Sequence, residues 1–244
     1  VGNDVGANGN GQTFASWNWK ANGQGSSNTE GSINTTYTSA NTTSGFSIIQ
    51  YTGNATASAT IGHGLGKIPT MIIFRRYAQA ENWDVYHQAI GNAKSIRLNE
   101  TGAAFDNATA LTSTTPTSNL ITLGTSVTTN ANGNPMIAYC FADVQGFSKM
   151  GSYIGNGNAD GTFAYTGFKP AFVMTRPSSG VGSWYMLDNK RANPFNVVTG
   201  RLEADGSGTE NTGFTWCDFT SNGFKIRTTE GGINASGVTF IYMA

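Results

Sequence analysis

At 244 residues the chain is long enough for one large β domain or two of about a hundred residues, each able to bury a core. Gly fills 32 positions, charged residues make up 11% and aromatics another 11%, so the polarity comes from Asn, Thr and Ser, a composition that favours strands and turns over helices. The 14 basic and 14 acidic residues cancel, which removes any bulk attraction for nucleic acid or an anionic membrane, and no apolar run approaches the roughly 20 residues of a membrane-spanning helix.

The chain opens on Val1-Gly2-Asn3-Asp4, with neither an initiator methionine nor a signal core, and stops abruptly at Ala244, so it is expected to be a piece of something longer. Gly2, Val5, Asn8, Asn10, Gly11 and Trp17 each lie 122 residues before Gly124, Val127, Asn130, Asn132, Gly133 and Tyr139. Residues 1–22 are therefore expected to be the closing hairpin of an upstream repeat. Residues 23–44, almost entirely Ser, Thr, Asn and Gly, offer too little apolar surface to offset their ordering entropy and read as a linker, with Ile33 and Tyr37 as its anchorage.

Beyond the linker an internal similarity dominates. Gly45-Phe46-Ser47 resembles Gly146-Phe147-Ser148, and Pro69 and Pro170, Arg75 and Arg176, Trp83 and Trp184 are all separated by 101 residues. Pro135-Met136-Ile137-Ala138-Tyr139 likewise resembles Val238-Thr239-Phe240-Ile241-Tyr242, each after an Asn/Gly-rich turn. These matches predict two repeats, 45–145 and 146–244. Alternation between turn clusters predicts strands at 46–51, 70–76, 83–86, 95–98, 120–123 and 136–141, then at 147–153, 171–176, 184–187, 198–202, 214–219, 224–227 and 239–243. No window keeps a helical period. The expected fold is all-β, with tandem antiparallel β-sandwich repeats of about 100 residues.

Titratable groups suited to catalysis are sparse. His63, in Gly62-His63-Gly64-Leu65-Gly66-Lys67, sits in a glycine-rich turn, but Lys67 leads into Ile68-Pro69 and a strand, which is not a phosphate loop. His63 and His87 lack the matched Cys or carboxylate of a metal site and read as packed or turn residues. Glu100, Asp106, Asp188, Glu203, Asp205, Glu210 and Asp218 lie in polar turns, where paired acid chemistry is less expected than solvated charge. Asn156, Asn158 and Asp160 place side-chain oxygens at alternate positions, as in the first half of a calcium loop, although no Glu closes it; calcium is the one cofactor entertained there, against an ordinary Asn/Gly turn. Cys140 and Cys217, the only cysteines, are expected as buried free thiols rather than a bridge.

Sugar contacts need aromatic faces and amide or charged groups. Trp83 and Trp184 share one repeat position, which argues first for core packing; Trp17 and Trp19, two apart, share a strand face as core or interface residues. Variable loops at 76–82, 178–183 and 189–193 are the expected contact regions. The candidate ligand-binding set is Arg76, Trp83, His87, Trp184, Asn189 and Arg191. Asn-x-Ser/Thr at Asn34, Asn41, Asn54, Asn99, Asn107 and Asn234 is incidental in so Asn-rich a chain.

Phe14-Ala15-Ser16-Trp17-Asn18-Trp19-Lys20-Ala21, His63-Gly64-Leu65-Gly66 with Pro69 and a strand reaching Arg75, and Trp83-Asp84-Val85-Tyr86-His87 together resemble repeated domains of large virion proteins from marine tailed bacteriophages, domains often found beside concanavalin-like lectin modules. That resemblance covers nearly the whole chain and provides no catalytic motif. It implies a non-enzymatic structural or adhesive component of a tail or head fibre, located on the virion and outside cells. Its partners would be other fibre subunits, as a homo-oligomer or a trimer, and host-surface glycans, without nucleic acid. The alternatives are a carbohydrate-binding module or fibril-forming domain of a secreted bacterial protein, and a glycan depolymerase fragment.

Overall fold

The computed structural model describes residue 2 and residues 4–191 and 195–244. In chain order the strands are β1 (Tyr37–Asn41), β2 (Phe46–Thr52), β3 (Ala59–Gly62), β4 (Pro69–Arg76), β5 (Asp84–His87), β6 (Lys94–Arg97), β7 (Phe105–Asp106), β8 (Leu120–Leu123) and β9 (Pro135–Ala142). They continue as β10 (Met150–Ile154), β11 (Phe163–Tyr165), β12 (Phe172–Pro177), β13 (Tyr185–Asp188), β14 (Arg201–Glu203), β15 (Cys217–Thr220), β16 (Gly223–Ile226) and β17 (Thr239–Met243). Among the described residues there are also four single-turn α-helices, α1 (Val5–Asn8), α2 (Ala108–Leu111), α3 (Val127–Asn130) and α4 (Gly231–Asn234), and one 3-10 turn at Gln88–Ile90. The protein is all-β, and its sheets are antiparallel.

A seven-stranded sheet runs β1-β2-β9-β4-β5-β6-β7 and a five-stranded sheet runs β10-β17-β12-β13-β14, so the order β2-β9-β4-β5-β6 of the first is matched position by position in the second. A two-stranded ribbon, β3-β8, and a three-stranded sheet, β11-β16-β15, complete the set. The period-2 alternation of strand side chains assigns them to layers. From β4, Ile72 and Phe74 enter one core with Ile61, Ile121 and Leu123 of the ribbon, while Met71 and Ile73 enter another with Met174, Ile241 and Met243 of the second large sheet. From β17, Phe240 and Tyr242 turn instead towards Phe219, Phe224 and Ile226 of the three-stranded sheet. The result is four layers around three cores, with the two large sheets back to back. A strand buried on both faces has no polar alternation, which is why Met71-Ile72-Ile73-Phe74 reads as an unbroken apolar run.

Polar groups lock the central interface. Arg176 is fully buried, and its guanidinium donates to the carbonyls of Arg97 (3.0 Å), Glu100 (2.9 Å), Thr101 (3.0 Å) and Gly102, with Nε reaching Pro177 O (3.3 Å). Burial lowers its pKa to about 10, and it lies over Trp184, whose indole N–H also donates to Arg97 O (2.9 Å). His87, likewise fully buried, pairs Nε2 with Tyr242 O across the interface (3.1 Å) and accepts the Ala89 N–H on Nδ1 (3.2 Å).

A second device recurs once in each half. The side chain of Asn130, fully buried, donates to Gly124 O (2.8 Å) and Thr56 O (3.1 Å) and accepts from the Asn54 N–H (2.8 Å); Asn234 donates to Thr228 O (2.7 Å) and Asn158 O (2.8 Å) and accepts from the Asn156 N–H (3.0 Å). Each asparagine latches the arm that leaves the half's opening strand, Tyr51-Thr52-Gly53-Asn54 or Tyr153-Ile154-Gly155-Asn156. The tyrosine hydroxyls donate to Thr129 O and Ile233 O. Only glycine fits the third position, because a Cβ would meet Ala131 O at 2.3 Å from Gly53 and Ala235 O at 2.3 Å from Gly155.

Several expectations need correction. The supposed linker 23–44 is built into the structure: Tyr37–Asn41 pair with β2, and Ile33 and Thr35 are buried. Periodicity missed it because its order comes from side-chain hydroxyls, such as Thr35 Oγ1 accepting from Asn28 N (2.8 Å). Within 1–22 the turn forms, but residues 13–20 pair with no strand among the described residues. In the second half the strand expected at 214–219 begins at Cys217, and the one expected at 198–202 is β14 at Arg201–Glu203, preceded by a single bridge from Val198 to Cys217. Cys140 and Cys217 are separate buried thiols, as expected; burial pushes Cys140 up to about 12 and Cys217 higher still.

Candidate functional site: an aromatic cleft at the sheet junction

At one end of the central interface the two large sheets part, and the extended segment 14–19 lies across the gap. Together they enclose a cleft of about 570 Å³. Its floor comes from strand ends: Phe46 of β2, Phe141 of β9, Met150 of β10, Phe172 of β12 and Met243 of β17. Alternation places Trp17 and Trp19 on one face of the segment. Trp17 packs on Phe172 at 5.9 Å between ring centroids, and Trp19 meets Phe141 and Phe172 edge-on, both at 5.9 Å. The segment is held at its C-terminal end, where Lys20 O accepts from Asn41 Nδ2 (3.2 Å) and Ser44 Oγ (3.2 Å).

One wall is polar. Asp188, at the end of β13, accepts from the Lys190 and Arg191 N–H groups (both 2.9 Å), from Arg191 Nε (2.6 Å) and from the Trp17 indole N–H (3.2 Å). Burial works to raise its pKa, but the hydrogen bonds from the Arg191 guanidinium and the two backbone N–H groups outweigh it and hold the carboxyl below its usual range. Arg191 also pairs with Glu210 (2.7 Å) and lies 5.2 Å from the Trp17 ring centroid. Asn189 contributes a buried side-chain oxygen with no hydrogen-bond partner among the described residues. At the rim, Phe14 (52%), Trp19 (42%) and Phe147 (60%) keep much of their surface exposed.

Of the six residues expected to bind ligand, the structure brings Asn189 and Arg191 to this cleft. Two others are corrected: His87 and Trp184 are fully buried at the central interface and cannot contact a surface ligand. Trp83 stacks on Tyr139 at 6.2 Å under Arg75, and Arg76 pairs with Glu81; neither lines the cleft. Of the expected contact loops only 189–191 reaches the site; Ala192 and Asn193 lie outside the described residues, and loop 178–183 is spent on residues 101–104, with Gly182 N donating to Thr101 O (2.9 Å). Phe172 and Asp188 complete a constellation that sequence reading did not assemble. Its legible trace was Trp17-Asn18-Trp19, two aromatics at strand spacing.

The remaining polar candidates are engaged elsewhere. Asn156 Oδ1 accepts from Asn158 N (3.0 Å) and Asn234 Nδ2 (3.2 Å), and Asp160 is paired with Lys225 (2.9 Å) and Arg227 (3.1 Å), so of the three side chains considered for calcium, Asn156 serves a turn and Asp160 two ion pairs. His63 is buried, with Nε2 on Thr117 O (3.1 Å) and its pKa lowered by desolvation. Glu100, Asp106, Asp188, Glu203, Glu210 and Asp218 each form an ion pair with Lys or Arg, and Asp205 accepts the Trp184 N–H (2.8 Å). Among the described residues, the cleft thus presents aromatic faces beside hydrogen-bonding groups, with the Asp188 carboxyl held below its usual range.

One family model matches residues 1–244. The chain belongs to the family described as a domain of unknown function, DUF7483. No curated protein and no solved structure matches it. The DUF7483 match runs without a break across both large sheets and the segment over the cleft, so all the parts that build the site fall within one family pattern.

Proposed function

We propose that this DUF7483 chain is a non-catalytic structural and adhesive block of a phage virion appendage, made of two copies of one unit, 45–145 and 146–244, that contacts host-surface glycans through the aromatic cleft. The observation that carries the adhesive reading is the cleft itself. Exposed Phe14, Trp19 and Phe147 offer apolar faces for sugar rings beside the polar wall of Asp188, Asn189 and Arg191, the combination of apolar walls and few oriented polar groups that small-ligand sites use. The matched strand orders and the matched asparagine latches support the duplication. The neutralised carboxylates support binding without turnover. The virion setting rests on the sequence resemblance. Individually weak contacts of this kind gain strength when many copies are displayed on one particle.

A glycan array probed with the intact chain tests the adhesive reading. Saturable binding is expected, lost on Trp19→Ala and on Asn189→Ala while both variants keep the parent melting temperature. Binding that survives both substitutions, or no binding at all, refutes it. Peptides of the chain recovered from purified virions support the appendage, and their absence from virions of a phage encoding it sinks that part.

A further inference from the structure

We infer that the aromatic cleft is one half of an extended site, whose other half is a polar pocket beside it, and that the ligand spanning both is a neutral oligosaccharide rather than a single sugar. The inference rests on the glycan reading of the cleft. The pocket, of about 440 Å³, forms where β14 meets the loop that follows it, and is lined by Arg201, Glu203, Thr209, Glu210, Asn211 and Thr212. An ion pair joins the two cavities. Arg191 lines the cleft, Glu210 lines the pocket, and the guanidinium meets the carboxylate at 2.7 Å. A chain that leaves the cleft over Arg191 therefore arrives at Glu210.

The pocket complements the cleft in chemistry. Where the cleft is aromatic, the pocket offers guanidinium, carboxylate, amide and hydroxyl groups, which suit a ligand with hydroxyls along its length. The Thr209 and Thr212 hydroxyls are exposed, and neither they nor Asn211 Nδ2 make a hydrogen bond among the described residues. Arg201 is set in advance: its guanidinium lies 4.0 Å from the Tyr185 ring centroid and 4.7 Å from that of Trp216, and pairs with Glu203 at 2.8 Å, so little ordering remains for binding to supply. Across both cavities Lys190, Arg191 and Arg201 balance Asp188, Glu203 and Glu210, a charge pattern that favours an uncharged glycan over an acidic one.

The first half shows the same kind of loop put to another use. After β14, Ala204 N donates to Trp184 O (3.0 Å) and Trp184 N to Asp205 Oδ1 (2.8 Å), as after β6 Leu98 N donates to Trp83 O (2.9 Å) and Trp83 N to Asn99 Oδ1 (2.9 Å). The carbonyls that follow in the first half, at Glu100, Thr101 and Gly102, are taken up by Arg176 at the central interface. In the second half residues 206–209 are exposed, and Gly208 and Thr209 border the pocket. One loop is spent on packing; its counterpart is left open to contact.

The probes are cello-, manno-, xylo- and N-acetylchito-oligosaccharides of one to six units, titrated into the intact chain while backbone amide shifts are recorded. At least one series is expected to bind, with Kd falling at least tenfold between two and four units and the amides of residues 203–212 shifting only with the longer members. The double variant Thr209→Val/Thr212→Val should return four-unit binding to the two-unit level and leave two-unit binding within twofold of the parent. A Kd that stops changing beyond two units, or a double variant that weakens short and long ligands alike or neither, overturns the extended site while the cleft reading stands. Tighter binding of oligogalacturonides of equal length overturns the assignment of a neutral ligand. Binding by no member overturns the inference, and the cleft reading falls with it when the glycan array is also silent.

Discussion

Replacing Asn130 with Ala tests the latch most directly. The substitution removes one accepted and two strong donated hydrogen bonds, leaving Gly124 O buried without its partner and Thr56 O and Asn54 N partly so. An abandoned buried group costs about 1–3 kcal/mol, and the two nearer the surface recover some of that from water, so a loss of roughly 3–5 kcal/mol is expected. For a chain of this size each kcal/mol lowers the melting temperature by about 2–4 °C, giving a fall of about 6–20 °C. Asn234→Ala should do the same within about 1 kcal/mol, whereas Asn8→Ala, which loses one exposed bond, should stay within about 0.5 kcal/mol of the parent. Urea titrations followed by far-ultraviolet circular dichroism and by tryptophan fluorescence read all three. A loss under 1 kcal/mol for Asn130→Ala, or an equal loss for Asn8→Ala, would show that the latch holds nothing together.

Arg176→Met should destabilise by roughly 3–5 kcal/mol, because it strips a buried cation from carbonyls that then have no donor, and Arg176→Lys should recover only part of this; a neutral outcome in the same urea titration refutes the clamp. His87 is neutral in the fold, with its pKa lowered by burial to about 4, while the unfolded chain titrates near 6.5, so the unfolded state binds the extra proton between these values. Stability should therefore be complete above about pH 6.5 and fall by on the order of 3 kcal/mol as the pH drops towards 4, a slope that His87→Gln flattens and that unchanged melting across this range would contradict. Cys140 and Cys217 should resist a thiol reagent at pH 8 in the folded protein and both react in denaturant; a fast-reacting thiol in the native chain would mean that one of the cores opens.

How far the fold could be read depended on whether a segment's order is local. β2, β4, β5, β9 and β17 announced themselves through apolar and β-branched runs between turn clusters; of the pairs at common spacing, Arg75 and Arg176 fell on the matched strands β4 and β12, and Trp83 and Trp184 each one residue before β5 and β13. β1 did not, since Tyr-Thr-Ser-Ala-Asn has no apolar face; it forms because β2 offers an edge and the hydroxyls around it find partners. Sequence also could not tell that Met71 and Ile72 face different cores, because a strand buried on both sides carries no period. The asparagine latches lay hidden among many Asn-Gly turns, and burial is what separates Asn130 and Asn234 from the rest. At the site, Asn189 and Arg191 were reached by treating loops as contact regions, whereas His87 and Trp184 were misplaced because polar and aromatic residues suit an interface between two sheets as well as they suit a ligand.

The shared core between the large sheets also sets an order of events during synthesis. The first sheet is finished once β9 pairs, but the apolar face of Met71, Ile73, Val85, Ile96 and Phe141 is not fully covered until β17 arrives, about a hundred residues later. At about 5–20 residues per second that interval lasts roughly 5–20 s, long enough for neighbouring nascent chains to meet through the same face.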